Sequence, residues 1–260
     1  MRRVYVLAAI VVLLLLYVQR QDGFQDPEPN PYYTVVPPTY DGFGAQYHAL
    51  MSGIAYAESK GLIYVHSPLT KVAHGGSTPQ LNDFIGIHTS PMAADVDNVT
   101  VEPFSDEVHF CERPSEYYTP EVIKRIRDFY FSSWKPTIEG NDIAVHVRRG
   151  DVPSADAQRY TTNEEYKVIL AMLRKEYPTQ KITLHSEGNL ADFSDLLGEN
   201  ISCKLNEDIR QTFHSFVTAK VFVMAKSSLS YSAALLNQGT IYYQSHWHKP
   251  LDGWKLLNPI

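Results

Sequence analysis

Several short runs of this 260-residue chain carry side chains able to do chemistry. The densest is Ile143-Ala144-Val145-His146-Val147-Arg148-Arg149-Gly150-Asp151. Side chains alternate along a strand, so Ile143, Val145 and Val147 share one face while Ala144, His146 and Arg148 share the other. Gly150 breaks the strand at its carboxyl end. A histidine and an arginine on one face, with Arg149 and Asp151 at the turn, make a compact anion site. Guanidinium groups match phosphate oxygens in bidentate geometry, each charge-assisted bond contributing roughly 1.5–3 kcal/mol. The alternative reading of the same residues is an Arg–Asp ion pair bracing a loop.

Three further runs fall where elements begin or end. Asp41-Gly42-Phe43-Gly44-Ala45-Gln46-Tyr47-His48 opens a helix, where glycines admit a ligand and free amides attract phosphate; an ordinary turn is the plainer reading. Lys226-Ser227-Ser228-Leu229-Ser230 lies between a strand and a helix. Its serines are either N-caps or, with the helix-start amides and Lys226, partners of a diphosphate. His185-Ser186-Glu187-Gly188 ends another strand, and Glu187 there is a candidate acceptor for a ribose or base. Asp95-Val96-Asp97 has the form of a metal-holding D-x-D but lies in a polar loop with no strand before it, and no metal site is expected. His246 and His248 flank Trp247 and read as a surface or acceptor feature. Tyr242, Tyr243, Trp247 and Trp254 are either sugar-stacking or core residues. The sequence has neither a G-x-S-x-G elbow nor a Walker loop, and its two cysteines exclude a thiolate zinc cluster. Three strand-end sites suited to phosphate point to an activated diphosphate donor and to no cofactor besides that substrate.

The elements that must position these residues follow from hydrophobic periodicity. Helices are predicted over 44–60, 121–134, 163–176, 209–220 and 229–236. Strands are predicted over 62–66, 143–147, 182–185, 221–224 and 241–243. Alternation of this kind indicates an α/β fold with parallel sheets covered on both faces, whose ligands sit at the carboxyl ends of the strands. The composition agrees: 44% apolar, 20% charged and 12% aromatic residues exclude disorder, a collagen-like repeat and a small disulfide scaffold. A formal net charge of −6 argues against broad nucleic-acid binding, which needs a basic face.

The amino-terminal run Val4 to Val18 is continuously apolar and flanked by Arg2, Arg3 and Arg20. It is short for a bilayer core of about 30 Å, and it lacks the small-x-small pattern that precedes signal cleavage. The preferred expectation is an uncleaved signal-anchor over 4–18 with a cytosolic tail over 1–3, giving a type II membrane protein with a luminal domain in the Golgi or endoplasmic reticulum; cleavage and secretion are the alternative. Residues 19–40, rich in proline, read as a stem. Asn98-Val99-Thr100 and Asn200-Ile201-Ser202 are N-glycosylation acceptors. Cys111 and Cys203 are either one disulfide or two thiols.

The run His146-Val147-Arg148-Arg149-Gly150-Asp151 resembles the H-x-R-R-x-D signature of the α1,2-, α1,6- and protein O-fucosyltransferases. Gly42-Phe43-Gly44-Ala45-Gln46-Tyr47-His48 resembles their glycine-rich first loop, in the G-x-G-x-Q-x-H form of the α1,6 enzymes. The stretch Ser227 to Asn237 is similar to the S-S-F-S-x-x-A-A-x-L-N of the α1,2 group. The resemblance implies a GT-B-like fold of two Rossmann-type lobes, over 41–140 and 141–260, and metal-independent, inverting transfer of fucose from GDP-fucose to a glycan or glycoprotein hydroxyl. By it Arg148 binds the β-phosphate, Arg149 and Asp151 shape the site, and Ser227, Ser228 and the Leu229 amide contact the phosphates. Gly42, Gly44, Gln46, His48, His146 and Ser186 belong to the donor site, Glu187 or Asp208 meets the ribose or guanine, and Asp156 is the base. A related transferase using another nucleotide sugar, or a non-catalytic glycan- or nucleotide-binding protein, is the alternative.

Overall fold

The computed structural model describes residues 31–73, 76–103 and 113–257. The expected tail and anchor, the first part of the stem and Cys111 lie outside the described residues. Among the described residues no helix is long and apolar enough to cross a membrane.

In chain order the first part of the molecule forms β1 (Tyr32–Val36), α1 (Phe43–Ser59), β2 (Ile63–Tyr64), α2 (Thr78–Ile85), β3 (Thr100–Pro103), α3 (Pro114–Tyr117) and α4 (Pro120–Ser132). The second part forms β4 (Ile143–His146), α5 (Asn163–Glu176), β5 (Ile182–Ser186), β6 (Ile201–Leu205), α6 (Ile209–Thr218), β7 (Val221–Val223), α7 (Ser228–Leu236), β8 (Thr240–Gln244) and β9 (Lys255–Leu257). Local chemistry sets the helix starts. Thr119 accepts from the Val122 amide ahead of Pro120, which has no amide hydrogen to satisfy. Thr162 and Glu165 close a reciprocal capping box on α5, and Arg174 and Lys175 in its last turn complement the helix dipole.

The strands make two parallel sheets, one in the order β2-β1-β3 and one in the order β6-β5-β4-β7-β8-β9. The larger sheet is apolar on both faces, as a parallel sheet between helices must be. Ile143, Val145 and Val147 of the central strand pack with α5 residues Tyr166, Ile169, Leu170 and Leu173. Ala144 faces the opposite core, with Phe222 and Met224 from β7 and its end and with Phe213 and Phe216 from α6. The same core takes in α1, α7 and the β1 residues Tyr33 and Val35.

One expectation changes here. The stem over 19–40 contains β1, the central strand of the smaller sheet, whose Tyr33 and Val35 are completely buried; the flanking prolines mask a short alternating strand. Each of the two expected lobes contributes one sheet. Residues Tyr32–Ile260 pack as one compact unit, because α1 lies directly on α7 and their core is continuous with one face of the large sheet.

Candidate functional site

From β4 the chain steps to β5 and β6 on one side, then returns to lay β7, β8 and β9 on the other. In the sheet's own numbering this is the doubly wound order 3-2-1-4-5-6, and the reversal leaves a crevice outside the carboxyl ends of β4 and β7. The residues following β4 are Val147 to Asp151, and those following β7 are Met224 to Ser227. The arginine run and the serine run therefore meet at the switch point.

Arg148 spans it. Its Nε and Nη2 donate to the two Asp151 carboxylate oxygens at 3.3 and 2.7 Å, and its Nη1 donates to the Lys226 carbonyl oxygen at 2.9 Å. The ion pair that sequence reading held as the alternative is thus formed. It does not exhaust the guanidinium, which has five N–H donors; one on Nη1 and one on Nη2 take no part in these bonds. Asp151 both orients Arg148 and offsets its charge, and an incoming anion must compete with that carboxylate. The Lys226 ammonium reaches across to the Ala157 carbonyl at 3.3 Å, tying the loop after β4 to the end of β7.

Behind Arg148 a buried polar chain holds the strand ends. The Ser230 hydroxyl accepts from the Ala225 amide at 3.1 Å and is 2.6 Å from His146 Nδ1. Tyr166 donates to the His146 carbonyl oxygen, and Ser186 donates to the Val147 carbonyl oxygen. Burial first, and then the charges of Arg148 and His185, push the His146 pKa down to about 3, so the ring is neutral. His185, its neighbour across the ladder, is oriented by Glu207 at 3.0 Å.

Beside the switch point, between the ends of β4 and β5, lies an open pocket of about 530 Å³. Arg149, Tyr160, Asn163, Glu187, Gly188 and Asp192 are among its lining residues. The Arg149 guanidinium lies 4.0 Å from the Tyr160 ring centroid and donates to Asn163 and to the Arg148 carbonyl oxygen. The Glu187 carboxylate is exposed and reaches over Gly150, where an added Cβ would stand 2.1 Å from Oε2; Gly150 also has φ of +76°. The backbone conformation is what calls for glycine here, since the Glu187 carboxylate is the end of a flexible, exposed side chain that can swing aside.

The other expected site residues are spent elsewhere. Gly42 precedes α1 and is bridged to Ala73. Gly44 touches α7 so closely that a Cβ would stand 2.3 Å from the Leu229 Cα, and its carbonyl oxygen accepts from Ser232. Gln46 donates to the Asp41 and Lys71 carbonyl oxygens, and His48 is buried against Tyr118 at 3.1 Å. The glycine-rich turn is therefore a packing joint, not an open cradle. Ser227 caps α7 by accepting from the Leu229 amide, so that amide is committed, and Ser228 pairs with His248 at 2.9 Å. Asp208 caps α6 and accepts from Arg210 Nε and Nη2, which keeps its pKa below the ordinary carboxylate range. Asp156 accepts from the Gln158 and Arg159 amides at 3.2 Å, so its carboxylate braces its own turn.

Asp95 closes a turn on the Met92 amide, and among the described residues no cluster of three or more His, Cys, Asp or Glu is placed for a metal ion. Asn98 and Asn200 are both exposed in turns ahead of strands. Cys203 is a free, half-buried thiol. Of the four carboxyl-terminal aromatics, Trp247 is the exposed one; Tyr242 and Tyr243 are buried, and Trp254 packs against the core. His248, expected at the surface, is buried. Sequence reading missed Tyr160, Asn163 and Asp192, which gather at the pocket only through tertiary contacts; the Thr162–Glu165 capping box is the one local signal nearby.

The site is the Arg148–Asp151 pair outside the ends of β4 and β7, with an open pocket lined by Arg149, Tyr160 and Glu187 beside it. No family model matches the chain, and no curated protein matches it. Among solved structures, the E. coli heptosyltransferase WaaC with ADP aligns at 11% identity over 82% of this chain and 86% of that one, with a TM-score of 0.42. WaaC with ADP-2-deoxy-2-fluoro heptose aligns at 12% identity over 87% of this chain and 92% of that one, again with a TM-score of 0.42. Scores at that level are too low to transfer a fold or an activity.

Proposed function

We propose that this chain is a glycosyltransferase that binds a nucleotide sugar at the switch point and passes the sugar, with inversion, to a hydroxyl of a glycan or glycoprotein. The observation that carries the reading is the meeting of Arg148 and Lys226 outside β4 and β7, next to a pocket with an uncommitted carboxylate at Glu187. In this reading the nucleoside occupies the open pocket, where Glu187 accepts from ribose hydroxyls or from a base N–H and the stacked Arg149–Tyr160 pair forms a wall. The diphosphate lies over Arg148, Lys226 and the start of α7, whose dipole favours negative charge. Fixed positive charge then stabilises the departing diphosphate as the sugar bond breaks. The resemblance of the arginine run favours GDP-fucose as donor. The exposed Asn98 and Asn200 are compatible with a luminal, glycosylated domain behind the anchor proposed over 4–18.

A donor screen tests this. At a hundredfold the dissociation constant, the matching nucleoside diphosphate stabilises the protein by about 2.7 kcal/mol. GDP-fucose giving the largest shift supports the finer reading, and a UDP- or ADP-sugar doing so replaces the donor while keeping the class. No shift with GDP, UDP, ADP or their sugars sinks the reading. Glu187→Gln is expected to weaken the nucleoside diphosphate about tenfold, roughly 1.4 kcal/mol, and to leave inorganic pyrophosphate unaffected. A second reading, a non-catalytic nucleotide-binding protein, draws on the commitment of Asp156 to its own turn; binding without turnover on any acceptor would establish it.

A further inference from the structure

Trp247 stands in the loop between β8 and β9 with 36% of its surface in solvent. That loop is pinned on both sides of the ring. The Tyr243 hydroxyl donates to the His248 carbonyl oxygen, and the Tyr231 hydroxyl donates to that of Lys249 at 2.7 Å. Before the tryptophan, the His246 backbone amide donates to the Tyr243 hydroxyl at 3.3 Å. A tryptophan gains much by burial, and one shown to solvent on a pinned loop offers a large contact face that needs little further ordering to bind.

Contacts from two directions place this face at the switch point. His248, the next residue, lies 2.9 Å from the Ser228 hydroxyl at the start of α7, where the diphosphate is assigned. From the other side the Arg159 guanidinium lies 5.6 Å from the Trp247 ring centroid. Arg159 belongs to the loop after β4, whose Ala157 carbonyl oxygen receives the Lys226 ammonium. Neighbouring residues of that loop therefore serve different spaces. Tyr160 walls the open pocket with Arg149, while Arg159 stands against Trp247. The Arg159 side chain is itself exposed, and its Nε is 3.7 Å from the Asp156 carboxylate, too far for a hydrogen bond. Its N–H donors are open to another partner. An aromatic face beside guanidinium donors suits a sugar. The C–H face of a pyranose stacks on the ring, and its hydroxyl oxygens accept from the cation. A serine or threonine side chain has no face of that size.

We propose that Trp247 and Arg159 form the subsite for the acceptor sugar, an inference that rests on the nucleotide-sugar reading of the switch point. The hydroxyl that receives the transferred sugar then belongs to a pyranose of a glycan, not to a peptide side chain. The sheet order β5-β4-β7-β8 sets the three parts in line. The nucleoside lies between the ends of β5 and β4, the diphosphate outside β4 and β7, and the acceptor ring past β8.

The test uses the full chain, saturated with whichever of GDP, UDP and ADP binds, and lactose, chitotriose and xylotriose as probes. The chain has three tryptophans and so three indole N–H signals in NMR, with that of Trp247 assigned through Trp247→Phe. At least one oligosaccharide is expected to move the Trp247 signal and to leave that of Trp134, which lies after α4 against Arg210. With that oligosaccharide as acceptor, Trp247→Ala is expected to raise its KM at least about tenfold. The same variant should keep kcat within about threefold and nucleoside diphosphate affinity within about twofold, a split that general loss of folding would not give. Arg159→Ala should raise the same KM by about threefold. An acceptor that is turned over without moving the Trp247 signal, or a Trp247→Ala variant with the wild-type KM, overturns the inference. So does a chain that binds nucleoside diphosphate while no oligosaccharide moves the signal; in each case the nucleotide-sugar reading stands. Failure of every nucleoside diphosphate to bind the wild type overturns that reading, and this inference with it.

Discussion

The turn before α1 and the turn after β4 look alike in sequence, since each joins glycine to polar and histidine residues at an element boundary, yet they do different work. In the first turns of α1, Gly44, Gln46 and His48 are buried, and the Gln46 amide nitrogen is used on the Asp41 and Lys71 carbonyls. After β4, Arg148 keeps two N–H groups outside its recorded bonds, Arg149 walls an open pocket, and Glu187 stands exposed beside it. The difference lies in what faces each turn. A helix axis from α7 crosses the first at contact distance, while the second sits where a parallel sheet reverses its winding and leaves a crevice. Glycine next to polar residues signals close approach; only the fold says whether a helix or a ligand approaches.

If the first region is sealed and the second open, stability and binding should separate between them. The largest effect is expected from acid. His66, His146 and His214 are buried, with pKa values lowered by burial to about 4, 3 and 4. Depressed values mean that the unfolded chain takes up protons first, so stability is full above about pH 6.5 and is lost as pH falls toward 4. At pH 5.5 each histidine should cost about 1 kcal/mol, roughly 3 kcal/mol together, read from denaturant midpoints across pH. Next, Gly44→Val drives side-chain atoms into the Leu229 backbone and should cost about 3 kcal/mol in urea unfolding. The molecules that still fold should bind nucleoside diphosphate normally. Arg148→Ala should do the reverse, weakening the diphosphate about 10- to 100-fold by calorimetry while changing stability by under about 1 kcal/mol, because its pair with Asp151 is partly exposed. A Gly44 variant that is stable but fails to bind, or an Arg148 variant that is strongly destabilised yet binds normally, would erase the distinction.

Much of the second half was legible because its patterns are strong. The helix predicted over 163–176 coincides with α5, whose capping box and inward apolar residues all act locally. The alternation in Ile143 to Val147 gave the two faces of β4 that the packing shows. What escaped included an edge strand, two very short strands and β1, hidden among the stem prolines. The strand β6 is an edge strand, and β3 and β9 have four and three residues, too few for periodicity to register. The site divides in the same way. Arg148, Arg149 and Glu187 were visible from residue type and strand end. Tyr160 and Asn163 were not, since their place at the pocket comes from neighbours distant in sequence.

The sequence by itself determined which segments become strands and helices over most of the second half, and that charged residues collect at the carboxyl ends of β4, β5 and β7. Hydrophobic periodicity and capping depend on residues a few positions apart, so that much is written locally. Tertiary structure alone decided which polar atoms stay uncommitted. Asp208, Ser227 and Asp156 find their partners within three residues of themselves, and Gly44 is closed off by α7, while the Glu187 carboxylate was left with an open valence. Hydrogen-bond satisfaction is a competition between neighbours in the chain and groups brought together by the whole fold, and a window of sequence records only the first of these.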